Sequence, residues 1–407
     1  MAEDGEMRVL ILTTDAGGGH RSVAKALAAS FEEVGGPSCH VSVVDFMAGY
    51  APFPLSRTRE LYNFMMRHPL LYSAFWASTN VRDGWALNAP AVGLAMEAGM
   101  RRLLREHAPD VVVATHPMAA PALVSILHRR KVRLPYYTVV TDFGDVHTFW
   151  AYPFGELWFA PCDETAYHLI RSGIPRERVV VVGYPVHPRF ARPSRPAAEL
   201  RRELGLEPER FTALLVGGAE GVGPIEEVVE AVAGAPAPWQ LIVVTGRNKE
   251  LKERLEAQAG RWAVPVHIDG LVEDMPSRMH AANVLLSKGG PATLSEGLTC
   301  GLPALLTSVL PGQEEDDARH FERLGVARRL SSPAEARELL EAMVEPGSPI
   351  LQEMLANVAR AARPLAGLEV ARHVLSRGTA VTAPPIPPLV GLRVLRQRAL
   401  QKRSLLR

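Results

Sequence analysis

The chain lacks the features that mark several whole classes of protein. Its 407 residues include only three cysteines, Cys39, Cys162 and Cys300, far apart and without a C-x-x-C pair. That argues against a disulfide scaffold and against a zinc site of paired cysteines, and it fits a reducing cytosol. No uninterrupted apolar run reaches the length of about 18 residues that a membrane-spanning helix needs. The first residues, Met1 to Met7, are acidic and lack the basic-then-apolar order of a signal peptide. Net charge is only +1, so no nucleic-acid partner is expected. Any membrane contact is expected to be peripheral.

The length exceeds the size at which one hydrophobic core stops growing, which predicts two domains. Apolar residues make up 47% of the chain, ample for two packed cores. Arg8–Thr14 is a continuous apolar run followed by glycines, the pattern of a buried parallel strand. A helix is expected over His20–Val34, stopped by Gly35 and Gly36. His40–Val44, Asp110–Ala114, Tyr137–Thr141, Glu156–Ala160 and Arg178–Val182 repeat the strand signal, with helical stretches between most of them. The pattern breaks at the proline-rich stretch Pro185–Pro196 and restarts at Phe211–Gly217, continuing through Gln240–Thr245, Val266–Ile268 and Asn283–Leu286. Alternating strands and helices predict two doubly wound α/β halves, with ligands at the carboxyl ends of their strands. The expected division is an N-terminal domain over 1–190, a C-terminal domain over 191–380, and a proline-rich linker with a basic segment over 381–407.

Four loops carry candidate chemistry. Asp15-Ala-Gly-Gly-Gly-His20 sets three glycines before a helix start, where backbone N–H groups and the helix dipole favour an anion. Its spacing is not G-x-G-x-x-G, so a dinucleotide site is poorly supported. His20 on the first helical turn can take a proton from an incoming hydroxyl; a glycine turn with a surface histidine gives the same local pattern. Lys288-Gly-Gly-Pro-Ala-Thr-Leu-Ser-Glu296 again follows a strand and opens a helix, which suits a pyrophosphate, and Glu296 can accept both hydroxyls of a ribose. Gly217–Gly223 reads as a second phosphate-facing loop, and Pro311–Asp317 offers amide and carboxylate groups to sugar hydroxyls. Ordinary strand–helix turns and a solvated acidic loop are the competing readings of these three.

Taken together and in order, these pieces resemble the diacylglycerol glycosyltransferases, meaning the monogalactosyldiacylglycerol synthases and the processive diacylglycerol glucosyltransferases. More distantly they resemble the enzyme that adds N-acetylglucosamine to the lipid-linked peptidoglycan precursor. The resemblance covers roughly residues 7–335. It rests on Asp15–His20 with Arg21, Thr115-His-Pro117, Val140-Thr-Asp142 with His147, Phe149 and Trp150, and Gly183–Pro188. In the second half it rests on Gly217-Gly218, Gly270–Met275, Lys288–Glu296, Gly301-Leu-Pro303 and Gln313-Glu314.

The resemblance implies an α/β GT-B fold, two Rossmann-like domains facing a central cleft, the first receiving an acceptor and the second a UDP-sugar. It implies an inverting transfer of a hexose from UDP-glucose or UDP-galactose to a lipid hydroxyl, on diacylglycerol or a glycosylated diacylglycerol. His20 would be the base, with Asp15 and Asp142 as competing candidates. Gly19, Gly217, Gly218, Gly289, Gly290 and Thr293 would line the donor, Val272 would meet the uracil, Glu296 the ribose, and Gln313 and Glu314 the sugar. His116 and His147 would lie on the acceptor side. The family often has Asn where this chain has Asp317, a position that bears on sugar preference. No Asp-x-Asp motif is present, so no metal or other cofactor is expected, and helix N-termini and backbone amides would stabilise the leaving diphosphate. A UDP-sugar epimerase is the rival enzyme class; a lipid-linked cell-wall precursor or a soluble apolar metabolite is the rival acceptor.

The segment Phe53–Trp76 is rich in aromatic, Met and Leu residues, with Arg57, Arg59, Arg67 and His68 interspersed. Tyr72, Phe75 and Trp76 are side chains of the kind that settle at a lipid interface, and the family resemblance places a lipid-facing segment here. Residues 391–407 add six basic residues and no acid. An anionic membrane surface is therefore an expected partner, and the expected location is cytoplasmic, peripheral on the inner face of the cell membrane.

Overall fold

The computed structural model describes residues 6–15, 18–58, 60–61, 64, 80, 84–130, 133–309 and 313–381. Two compact units divide the chain between His187 and Pro188 and again between Pro364 and Leu365.

In the first unit the elements run β1 (Met7–Thr13), α1 (Gly19–Gly35), β2 (Cys39–Asp45), α2 (Phe46–Tyr50), α3 (Gly84–His107), β3 (Val111–Ala114), α4 (Ala119–Arg130), β4 (Tyr136–Val139), β5 (Leu157–Ala160), α5 (Asp163–Arg171) and β6 (Val179–Val181). The strands form one parallel sheet in the order β2-β1-β3-β4-β5-β6. Helices cover its faces, which is why β1 buries five consecutive residues and β3, β4 and β5 bury every residue rather than alternating. Helix α1 buries Val23, Ala24, Leu27, Ser30 and Phe31, one stripe at helical spacing. Gly18 caps its start at φ +81°, a conformation that side chains other than glycine rarely adopt.

The second unit opens with α6 (Ala197–Glu203) and continues β7 (Phe211–Val216), α7 (Ile225–Ala233), β8 (Trp239–Val244), α8 (Lys249–Ala257), β9 (Val266–Asp269), α9 (Met275–Ala281), β10 (Val284–Lys288), α10 (Pro291–Thr299), β11 (Ala304–Ser308), α11 (Gln313–Arg323), β12 (Ala327–Arg329), α12 (Pro333–Val344) and α13 (Pro349–Ala361). Its parallel sheet has the order β12-β11-β10-β7-β8-β9. Each sheet therefore reverses its strand order once, between β1 and β3 in the first unit and between β7 and β10 in the second. In open α/β sheets ligands settle at the carboxyl ends of the strands at such a reversal.

One expected boundary is corrected. The last described helix, α14 (Ala366–Arg377), was expected within the C-terminal domain but belongs to the first unit. It buries Leu368, Val370, Ala371 and Val374, and it lies against α1 where Gly367 meets Ser30. A Cβ on Gly367 would stand 2.5 Å from Ser30 Oγ, so only glycine permits the approach. The hydroxyl of Ser30 is turned onto Ala26 O at 2.8 Å, which leaves no buried donor unsatisfied at the crossing. Most of the expected linker and basic segment over 381–407 lies outside the described residues.

Candidate functional site

The reversal in the first unit gathers the loops that follow β1, β3 and β4. Strand β4 ends at Val139, shorter than expected, so Thr141 and Asp142 stand on the loop beyond it. Thr141 Oγ1 lies 2.8 Å from His20 Nδ1. Thr115 Oγ1, just past β3, donates to the carbonyl of His20 at 3.2 Å. The rings of His20 and His116 meet edge to face with centroids 4.7 Å apart, and Trp150 lies 6.2 Å from His20. Trp150 Nε1 donates to Asp142 Oδ2 at 2.6 Å, and Trp158 Nε1 holds the carbonyl of Trp150 at 2.9 Å. His20, on the first turn of α1, thus forms one cluster with His116, Thr141 and Asp142 on the loops that follow β3 and β4.

The electrostatics favour neutral imidazoles. Burial pushes His20 below its ordinary pKa, while the charge of Asp142 and a hydrogen bond at Thr115 oppose the shift in part. Burial holds His116 well below the usual range, with the nearby His20 and His147 adding to the effect. Burial lowers His147 to about 4. Nδ1 of His116 accepts the N–H of Met118 at 3.3 Å and Nδ1 of His147 accepts the N–H of Phe149 at 3.2 Å. Both neutral rings therefore carry their proton on Nε2. The hydroxyl of Thr141 can accept as well as donate, so His20 can carry its proton on Nδ1 and leave Nε2 as a base. Asp15 is placed differently: its carboxylate pairs with Arg21 at 3.3 Å and its N–H donates to Asp45. Gly19 begins α1, and a Cβ placed there would lie 3.7 Å from the Tyr184 hydroxyl.

In the second unit the loops after β7 and β10 are neighbours because their strands pair, Val216 opposite Ser287. Gly218 adopts φ +69°, and a Cβ there would lie 3.4 Å from Lys288 Cε. The Gly217–Gly223 loop is clamped to the loop after β8, with Arg247 N–H donating to Ala219 O at 2.9 Å and Asn248 Nδ2 to Gly221 O at 3.2 Å. Gly289 and Gly290 lead into α10, whose first turn carries Thr293 and whose second carries a half-buried Glu296. Glu314, on the first turn of α11, pairs with Lys288 Nζ beside Gly290. Asp317 is 1% exposed on the same helix. Val272 is half-buried on the loop after β9. Gln313 begins α11, and its side chain lies outside the described residues, as do Tyr72, Phe75 and Trp76. Among the described residues no group of three or more His, Cys, Asp or Glu could hold a metal ion.

Sequence reasoning did not single out Thr141, Trp150 or Lys288 as functional, although each stands inside a quoted motif. Their signal is adjacency to Asp142, His147 and the Gly289-Gly290 pair.

Two parallel six-stranded α/β units, with an imidazole cluster at one reversal and paired glycine loops at the other, give the chain a fold of the GT-B class. Solved structures match this fold: MurG of Acinetobacter baumannii at TM-score 0.57 and 16% identity, over 91% of this chain and 99% of that one. Anabaena Alr3699/HepE in complex with UDP-glucose matches at TM-score 0.53 and 16% identity, over 91% and 100%. A putative UDP-N-acetylglucosamine 2-epimerase from Listeria monocytogenes matches at TM-score 0.55 and 11% identity, over 91% and 96%, so the fold alone does not separate transferase from epimerase. Sequence does. The family model for monogalactosyldiacylglycerol (MGDG) synthase matches residues 20–186, and that for the glycosyltransferase family 28 C-terminal domain matches 212–364. The chloroplastic monogalactosyldiacylglycerol synthase of Spinacia oleracea is 32% identical over 366 residues, 88% of this chain and 70% of the relative. That of Arabidopsis thaliana is 30% identical over 376 residues, 90% and 70%. The chain belongs to the monogalactosyldiacylglycerol synthase family and is a glycosyltransferase.

Proposed function

We propose that this protein transfers a hexose from a UDP-sugar to the hydroxyl of diacylglycerol, with inversion, in glycolipid synthesis. The observation that carries the reading is the part-buried His20–Thr141 pair beside a neutral His116. Nε2 of His20 takes the proton of the acceptor hydroxyl, the oxygen attacks the anomeric carbon, and the bond to UDP breaks as the new glycosidic bond forms. A base held neutral by burial is ready at ordinary pH without first losing a proton. Asp142, steadied by Trp150, stabilises the imidazolium that results. On the second unit, the N–H groups around Gly217, Gly218, Gly289 and Gly290 receive the diphosphate, Glu296 the ribose, and Gln313 and Glu314 the sugar. The names of the relatives favour galactose; UDP-glucose bound to the Anabaena structure keeps glucose as the second donor.

Diacylglycerol resides in a bilayer, so the enzyme works at its surface. No described helix is long and apolar enough to cross a membrane. The composition of 53–76 and the basic residues of 391–407 support a peripheral attachment to anionic lipid on a cytoplasmic face. Acceptor dependence tests the reading. UDP release from UDP-galactose or UDP-glucose should require added diacylglycerol; release or sugar isomerisation without it would put the protein in another class.

A further inference from the structure

Lys288, at the end of β10, brings a cation to the glycine loops. The register between β10 and β11 shifts between Ser287 and Lys288, and such an irregularity re-aims the side chain that follows it. As a result Lys288 stands over both loops: its Cε is 3.4 Å from where a Cβ on Gly218 would lie, and its Nζ 3.7 Å from the equivalent point on Gly290. Glu314 Oε1 takes the ammonium's hydrogen bond and is itself 3.8 Å from that point on Gly290. The two side chains are only 22% and 14% exposed.

We propose that Lys288 is the cation that grips the donor's diphosphate, and that donor binding exchanges its partner from Glu314 to phosphate oxygen. The proposal rests on the UDP-sugar reading and adds a residue to it. A half-buried ammonium is costly to leave unpaired, and Glu314 keeps it compensated. When a diphosphate enters, the ammonium moves to an anion of higher charge while remaining compensated throughout. Glu314, an acceptor-only group, is then released to receive sugar hydroxyls. In the transfer step the bond between the anomeric carbon and the diphosphate oxygen breaks, and its electron pair stays on that oxygen. Lys288 keeps its proton and stabilises the added negative charge through charge-assisted hydrogen bonds. One residue pair thus couples leaving-group stabilisation to sugar recognition.

The test compares UDP with uridine, which lacks the phosphates, by titration calorimetry on the full chain. Lys288→Met should weaken UDP binding by roughly 10- to 100-fold, the worth of a hydrogen bond to a charged group, and leave uridine binding within about twofold. Lys288→Arg should keep most of the UDP affinity, and Glu314→Gln should bind UDP at least as tightly as wild type while turning over UDP-hexose more slowly. A parallel loss for UDP and uridine, or unchanged UDP affinity in Lys288→Met, overturns the assignment. A loss of UDP affinity in Glu314→Gln overturns the exchange. Ligand-free melting reports the folding of Lys288→Met, and Lys288→Gln gives the same comparison with a polar head retained. Wild-type protein that binds no UDP overturns the donor assignment itself, a result visible before any variant is compared.

Discussion

Acid should weaken the first unit through His147, and one substitution should remove that weakness. The side chain is 7% exposed, and Nδ1 caps the short 3-10 turn Thr148–Ala151 by accepting the N–H of Phe149. That turn carries Trp150, the donor to Asp142. Burial holds the imidazole at a pKa of about 4, against an ordinary 6.5. Protonation fills the accepting lone pair and buries a charge whose ring lies 4.7 Å from that of Phe149. Because the folded pKa is the lower one, the unfolded chain takes up the proton first. The stability His147 contributes is therefore complete above about pH 6.5 and is lost as pH falls toward 4. At about 1.4 kcal/mol per pH unit, this interval is worth about 3 kcal/mol. His147→Asn keeps a capping acceptor and does not titrate in this range. Urea unfolding of both proteins at several pH values, followed by tryptophan fluorescence, isolates the effect, since His20, His116 and the carboxylates contribute to both curves. Wild type should lose about 3 kcal/mol more than the variant between pH 7 and pH 4. The same pH dependence in both would refute the assignment of this titration to His147.

Other substitutions address the proposed chemistry. His20→Ala should lower turnover by about 10²- to 10⁴-fold with UDP affinity unchanged, and should abolish a rising limb of the pH–rate profile that lies below pH 6.5; turnover within a few-fold of wild type would move the base to Asp142 or Asp15. Thr141→Val leaves His20 Nδ1 without its partner and should slow transfer by roughly tenfold or more, while Thr141→Ser restores it, as steady-state kinetics would report. Glu296→Ala should cost about 1–3 kcal/mol of UDP affinity in calorimetry, and equal binding would remove Glu296 from the donor site. In sedimentation with vesicles, the protein should follow phosphatidylglycerol more than phosphatidylcholine, less so at high salt; protein left in the supernatant with both would undercut the membrane assignment.

The strands β1 to β10 and the glycine loops were legible because their signal is local, whereas β11 and β12 were not named from the sequence. Val111–Ala114 is a strand in any context that buries both faces, and glycines between a strand and a helix mark a turn wherever they occur. The side-chain pairings that make those loops chemical were not legible. Thr141 meets His20 across 121 residues of chain, and Thr115 meets it across 95. No periodicity encodes such a meeting; it follows from the strand order, which sets β3 beside β1 and β4 beside β3. The register shift at Lys288 was hidden for the same reason, since it is a property of pairing between β10 and β11 rather than of either strand. The return of α14 to the first unit was missed because its apolar face, Val370, Ala371 and Val374, fits either unit by pattern alone. The close fit of Gly367 on Ser30 places it in the first unit.

The most direct measurement is the structure of the product. The purified chain is incubated with UDP-galactose or UDP-glucose and vesicles containing diacylglycerol, and the lipid fraction is analysed by mass spectrometry and by the anomeric proton coupling in NMR. The expected product is a diacylglycerol bearing hexose in the linkage opposite to that in the UDP-sugar, and at least about a hundredfold less should form when His20→Ala replaces the wild type for the same time. A wild-type reaction that yields no glycolipid with either donor, or one that keeps the anomeric configuration, would contradict direct displacement by an acceptor hydroxyl activated at His20.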